Sequence, residues 1–170
     1  MMTTPFVSIL MGSDSDISTM QAARDILDYL QIPHEWKITS AHRTPEATSA
    51  YVVEAERRRC GVFIAAAGLA AHLAGSVAAR TIKPVIGVPL NSGSLLGMDA
   101  LLSTVQMPSG IPVATVAIGV TGAKNAAYLA AQILALSDNN LAERLKQDRL
   151  ANVEKIYAKD FALCREAICV

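Results

Sequence analysis

Short continuous apolar runs alternate along this chain with longer segments whose apolar residues recur every three or four positions. Phe6 to Met11 is such a run, ended by a glycine, and reads as a strand buried on both faces. Ala23, Ile26, Leu27 and Leu30 then fall at helical spacing and predict a helix from about Ile17 to Gln31. A strand over Glu35 to Thr39 and a helix over Glu46 to Arg58 follow, the latter ending in a basic run that suits a helix C-terminus. Val62 to Ala66 predicts a third strand, with a small-residue helix reaching about Thr81. Pro84 to Val88 is a fourth strand, then a polar connection over Pro89 to Gly97 and a short helix over Met98 to Val105. The two prolines and the glycine of Met107 to Pro112 exclude regular structure there. Val113 to Ile118 is a fifth strand, Gly122 to Leu136 an alanine-dominated helix, and Asp138 to about Ile168 a charged final helix, continuous or broken.

Five strands alternating with helices predict one α/β domain over residues 1–170, with its core at 6–136 and a C-terminal helical extension at about 138–168. The expected fold is a three-layer, doubly wound parallel sheet of flavodoxin-like order 2-1-3-4-5, with right-handed crossovers. In that order the loops at Gly12–Asp16, Ser40–Pro45 and Gly68–Leu73 meet in one crevice at the carboxyl ends of the strands.

Composition narrows the partners. Lys+Arg and Asp+Glu are 15 each, so no basic excess points to nucleic acid or an anionic membrane. Hydrophobic residues are 52% of the chain and aromatics only 5%, a core of Ala, Val, Ile and Leu suited to close-packed helices on a parallel sheet. The mean hydropathy of +0.33 is high for a small monomer, and Asp99 is the only charge between Lys83 and Lys124; both features predict burial between subunits. No basic n-region and apolar h-region open the chain, so a cytoplasmic protein is expected. Gly61 to Ala79 carries no formal charge, but its apolar character is mostly alanine, and a strand, a loop and a helix explain it better than a membrane span. Cys60, Cys164 and Cys169 have no ligand spacing and read as reduced structural thiols.

The loops carry the chemistry. Ser40-Ala41-His42-Arg43-Thr44-Pro45 places a hydroxyl, an imidazole and a guanidinium where a strand turns into a helix, with Pro45 in the first turn and Thr44 as N-cap. It is either a solvated capping loop or a ligand loop in which Arg43 grips a phosphate and the helix N-terminus adds donors. His42 beside it has the side chain whose ordinary pKa lies nearest physiological pH. Ser13, Ser15 and Asp16 suit a ribose phosphate, the hydroxyls toward the anion and the carboxylate toward ribose hydroxyls; helix capping by Ser15 or Asp16 is compatible with this. The loop lacks a Walker A lysine, a dinucleotide fingerprint and the Gly-x-Ser-x-Gly elbow that a Ser13/His42/Asp16 hydrolase needs. Asp14-Ser15-Asp16 matches an aspartyl phosphatase only superficially, an EF-hand is excluded, and three unclustered histidines make a metal site unexpected. His34 is expected at the surface, whereas His72 is either a structural residue or a substrate contact.

Taken together, Gly12-Ser13-x-Ser15-Asp16, Ser40 to Pro45, Ala70-Ala71-His72-Leu73, Gly87-Val88-Pro89 and Val105-Gln106-Met107-Pro108-x-Gly110-Ile111-Pro112-Val113 closely resemble the N5-carboxyaminoimidazole ribonucleotide mutases, the class I enzymes of de novo purine biosynthesis. The match runs in order from about residue 6 to 136, and Asn125-Ala126-Ala127 agrees with it. The resemblance implies an isomerase that moves a carboxylate from the exocyclic N5 to ring carbon C4, with no metal and no organic cofactor. It implies that Ser13, Asp16 and Arg43 bind the ribose phosphate with Ser15 and Ser40 nearby, and that His42 is the acid/base. The loop from Gly68 through Ala70, His72 and Leu73 would close on the base and carboxylate. It also implies a homo-octamer. Leu69 and Ala74 depart from the glycine and proline usual at these places. The competing readings are a class II-like carboxylase of aminoimidazole ribonucleotide using free carbon dioxide, and a nucleotide-binding module without turnover.

Overall fold

The computed structural model describes residues 5–167; the expected end of the final helix at Ile168, and Cys169, lie outside them. β1 (Phe6–Met11), β2 (His34–Ile38), β3 (Cys60–Ala67), β4 (Val85–Pro89) and β5 (Ala114–Thr115) form an all-parallel sheet in the order β2-β1-β3-β4-β5. All six residues of β1 are buried because both faces are covered. On one face lie α1 (Ile17–Tyr29) and α5 (Gly119–Ala135), which pack together over Val7, Ile9, Ile64 and Ile86. On the other face α2 (Pro45–Arg57) and α3 (Leu73–Ala78) cover Phe6, Leu10 and Phe63, while α4 (Met98–Val105) packs on β4 and β5. α6 (Asn139–Ala167) is one unbroken helix laid against α5.

Periodicity explains each helix's place. Ala123, Ala126, Ala127, Ala130 and Ala131 of α5 are all fully buried, a stripe at three- and four-residue spacing. Gly122 lets the first turn of α5 fold tightly onto the segment that leads into it: a Cβ there would lie 1.6 Å from the Ala117 carbonyl oxygen. Gly87 in β4 is equally hemmed in, its missing Cβ falling 2.3 Å from Thr104 Cγ2. Two contacts tie down the first half of α6: Arg144 Nε donates to the Leu30 carbonyl (2.9 Å) and Tyr128 OH to Asp148 Oδ2 (3.0 Å); Leu150, Ile156 and Tyr157 beyond them are exposed.

Two expectations need correcting, and a third, over Gly61 to Ala79, holds. β5 is two residues long rather than six, because it is an edge strand and the chain leaves the ladder after Val116 N–H reaches Gly87 O, turning toward Gly122. β2 begins at His34, whose side chain is 11% exposed rather than at the surface; its Nδ1 lies 3.0 Å from the Ile32 carbonyl and its Nε2 3.7 Å from Asp28 Oδ1. Gly61 to Ala79 folds as β3, a loop and α3, and no helix among the described residues is long and apolar enough to cross a membrane.

A polar cluster closes the amino end of the sheet. Ser8 Oγ donates to Tyr51 OH (2.5 Å), Tyr51 OH donates to Glu35 Oε1 (2.5 Å), and Arg58 grips both oxygens of Glu35 at 2.6 and 2.7 Å. The guanidinium, followed by the tyrosine hydroxyl, outweighs the burial that opposes ionisation and holds the Glu35 carboxyl below its ordinary 4.5. A lowered folded pKa gives stability that is complete above the unfolded value and is lost as pH falls through the folded one. Glu35→Gln is therefore expected to cost about 1–2 kcal/mol near neutral pH, discounted for the partly exposed Arg58. That deficit should shrink as the pH drops below 4.5, which urea unfolding of both proteins at several pH values measures. An unchanging deficit would assign the loss to packing.

Candidate active site

The carboxyl ends of β1 and β3 are neighbours in the sheet, yet β1 runs on to α1 on one face and β3 to α3 on the other. Between the parting loops opens a cavity of about 540 Å³, within the range of small-molecule sites. Ser13, Ser15, Asp16, Ser40, His42, Arg43, Gly68, Ala70, His72 and Leu73, the residues singled out in the sequence, all line it.

The first loop is ordered by its own side chains. Ser13 caps a single 3-10 turn, Asp14–Asp16, that leads straight into α1: Ser15 N–H donates to Ser13 Oγ (3.3 Å) and Ser13 N–H to Asp16 Oδ2 (3.0 Å). The cap is thus Ser13, with Asp16 as its reciprocal partner, and not Ser15 or Asp16 alone. Ser15 Oγ donates to Ser13 Oγ (3.0 Å) and to Asp16 Oδ1 (3.3 Å). Asp16 is 8% exposed, and burial raises its carboxyl above the ordinary 3.8 against the pull of these hydrogen bonds. Two lone pairs per oxygen still leave the carboxylate capacity for a further donor.

The second loop is knitted to β2 and α2. Thr44 occupies the N-cap position, but its hydroxyl turns back: it accepts from Ser40 N–H (2.9 Å) and donates to Ser40 O (3.2 Å). Ser40 Oγ accepts from Arg43 N–H (3.2 Å), and Thr39 shares a buried hydroxyl bond with Thr48 (2.7 Å). Arg43 reaches across the crevice, its Nη2 donating to the Gly12 carbonyl at 2.9 Å. That bond holds the guanidinium beside the start of α1 with its other N–H groups uncommitted by it.

His42 and His72 join the second loop to the third. His42 Nε2 and His72 Nδ1 are hydrogen-bonded, with ring centroids 4.6 Å apart and planes at 77°. One of the two nitrogens carries the proton and the other accepts, so at least one ring is neutral while the bond persists. His72 stands at the N-cap of α3, both rings are exposed to the cavity, and Leu73 behind them is buried.

The third loop leans on a fourth that the sequence reading passed over as a polar connection. Ser92, in the segment after β4, lines the cavity, and a Cβ on Gly68 would fall 2.5 Å from Ser92 Oγ. Its position just past the carboxyl end of a central strand was the available signal. Among the described residues, no three His, Cys, Asp or Glu side chains converge as a metal ion would need.

The comparisons with known proteins agree with one another. A family model described as AIR carboxylase matches residues 6–155. The N5-carboxyaminoimidazole ribonucleotide mutase of Bacillus subtilis (strain 168) is 56% identical over 145 residues, 85% of this chain and 90% of its own. That of Escherichia coli (strain K12) is 51% identical over 150 residues, 88% of this chain and 89% of its own. The crystal structure of Treponema denticola PurE matches with a TM-score of 0.85 at 36% identity, covering 94% of this chain and 98% of the other. With a family model matching residues 6–155 and relatives 51–56% identical over most of the chain, this chain belongs to the AIR carboxylase family.

Proposed function

We propose that this protein is an isomerase of purine biosynthesis that interconverts N5-carboxyaminoimidazole ribonucleotide and 4-carboxy-5-aminoimidazole ribonucleotide. The observation that carries the reading is the placing of His42, braced by His72, in the same cavity as the Arg43 guanidinium and the capped start of α1. The relatives named as N5-carboxyaminoimidazole ribonucleotide mutases supply the substrate class.

Arg43, the hydroxyls of Ser13, Ser15 and Ser40, and the N–H groups at the start of α1 form the phosphate end of the site. Asp16 keeps that loop in shape and offers a lone pair to ribose. Cleavage of the N5–carboxylate bond leaves its electron pair on nitrogen and frees carbon dioxide. The electron-rich ring C4 attacks that carbon, a C–C bond forms, and C4 then gives up its proton. His42 accepts this proton and returns one to the nitrogen, so a single imidazole restores the balance. His72 holds the His42 ring at the angle the transfer needs. Holding the carbon dioxide beside C4 replaces an encounter from solution with an intramolecular one.

The exposed apolar side chains Leu95, Leu96, Met98, Leu102 and Val105, on α4 and the loop before it, support assembly as a homo-octamer, here taken to be cytoplasmic.

Three outcomes are expected. His42→Asn should bind substrate yet lose about a hundred- to ten-thousandfold in rate. A spectrophotometric mutase assay beside a binding isotherm measures both, and retained turnover would place the proton on another group. Arg43→Ala, which loses a charge-assisted grip, should weaken ribonucleotide binding by about ten- to a hundredfold in calorimetry while the fold persists. Sedimentation at micromolar concentration should show a large homo-oligomer, and a stable monomer would remove the assembly from this reading.

A further inference from the structure

The hydrogen-bonding side chains of the cavity are committed to one another or to backbone, with one exception. Those of the first loop bond among themselves, Ser40 Oγ accepts from Arg43 N–H, Arg43 donates to the Gly12 carbonyl, and His42 pairs with His72. Ser92 Oγ has no hydrogen-bond partner among the described residues, and no other polar side chain of the lining is in that state. Its place is nonetheless fixed. Leu90 N–H donates to the Ala67 carbonyl (2.9 Å) and ties the root of the fourth loop to the end of β3. Two residues on, the Ser92 side chain fills the space over Gly68, where a Cβ would meet its Oγ at 2.5 Å and its Cβ at 2.7 Å. Leu69 then lies against Gly93, whose own Cβ would fall 2.6 Å from Leu69 Cδ2. Backbone therefore positions this hydroxyl, and its proton and both lone pairs stay uncommitted.

The position along the sheet says which part of a ligand this hydroxyl meets. Arg43 and the capped start of α1 lie over the ends of β2 and β1, whereas Ser92 follows β4, two strands beyond β1. Two strand spacings make about 10 Å, a reach comparable with that from the phosphate of a ribonucleotide to the far edge of its base. His42 and His72 stand between the two ends, since His72 follows β3. The one guanidinium of the lining, Arg43, is at the phosphate end, and the lining holds no lysine. A carboxylate on the far edge of the base must then be met by neutral donors, and the Ser92 hydroxyl is the uncommitted one. Such a bond gains from the charge of its acceptor.

Resting on the proposed reaction, we infer that Ser92 is a specificity-determining residue whose hydroxyl donates to the carboxylate of the carboxylated ribonucleotides. That carboxylate sits on the exocyclic nitrogen in one isomer and on the neighbouring ring carbon in the other, so one hydroxyl serves both. Ser92 moves no proton and forms no covalent bond. It separates ribonucleotides that carry the carboxylate from those that lack it, and Gly68 contributes by leaving room for its side chain.

Calorimetry with two probes tests this assignment: 4-carboxy-5-aminoimidazole ribonucleotide and 5-aminoimidazole ribonucleotide, which differ by the carboxylate alone. Ser92→Ala should bind the first about ten- to a hundredfold more weakly than the parent protein, the loss expected for a hydrogen bond to a charged group, and the second within about twofold. Ser92→Cys, of the same shape but a weak donor, should follow Ser92→Ala. In the mutase assay the loss should fall on KM rather than kcat, because the bond is made to the carboxylate of substrate and product alike. Both variants should unfold at the temperature of the parent, since Ser92 Oγ bonds no other described residue, which separates a lost contact from a damaged fold. Equal weakening toward both probes would place the bond on the ring, and parent-like affinity in either variant would leave the hydroxyl without a role. Each of those results, or a loss confined to kcat, would overturn the inference and leave the reaction standing. Failure of the parent to interconvert the two carboxylated ribonucleotides would overturn the reaction, and the assignment of Ser92 with it.

Discussion

Everything at the site depends on the handedness of the strand crossovers. A parallel strand can be followed only by a right-handed connection, so strands added to the left and right of β1 send their helices to opposite faces. β1 leads to α1 on one face, and β3, its neighbour, leads to α3 on the other. The backbone must therefore part between them, and no side chain is needed to open the gap. The crevice is a consequence of topology, and the loops decorate an opening that the sheet already provides.

What the loops add is mutual bracing. Each of the four touches the next: Arg43 holds Gly12, His42 holds His72, and Gly68 and Leu69 seat against Ser92 and Gly93. Residues from four separate chain segments thus reach one cavity without relying on any single loop to hold its own shape. Asp16 illustrates the same economy, since its carboxylate closes the cap of the first turn before it meets any ligand. A site held in this way is arranged before substrate arrives, the condition that favours rate over mere binding.

Much of this was legible in the chain. The positions of the strands and helices followed from apolar runs and from 3.6-residue spacing, because those patterns are dictated by burial alone; the strand order came from the flavodoxin-like topology expected of alternating strands and helices. The ten residues picked from three loops share one cavity because each loop follows the carboxyl end of a parallel strand; Ser, Asp, His and Arg marked the first two loops, while Ala70 and Leu73 were named by the family resemblance alone. Tertiary geometry escaped. Ser92 was missed because the segment after β4 has no charged or aromatic side chain to mark it, only small polar ones. The length of β5 was overestimated because Val113 to Ile118 has strand composition, while an edge strand keeps only as many residues as its one neighbour can pair. His34 looked like a surface residue beside Pro33, but the ring folds over the end of α1. Thr44 had the composition of a cap, and only its bonds to Ser40 show that the loop took the hydroxyl instead.

The alanine stripe of α5 has a consequence for how the protein can change over time. Alanine has no rotamers to lose, so this part of the core is assembled with little side-chain entropy at stake. It also has no rotamers with which to accommodate a neighbour. A methyl group added beneath Ala123, Ala126 or Ala130 cannot be absorbed by a side chain swinging aside; the helix itself must rise from β3 and β4. Those two strands end in the loops that carry Gly68, Leu69 and Ser92, so the displacement would be delivered to the crevice. Mutational drift in this family member should therefore be freest on the far half of α6, and most restricted at residues that never meet the substrate.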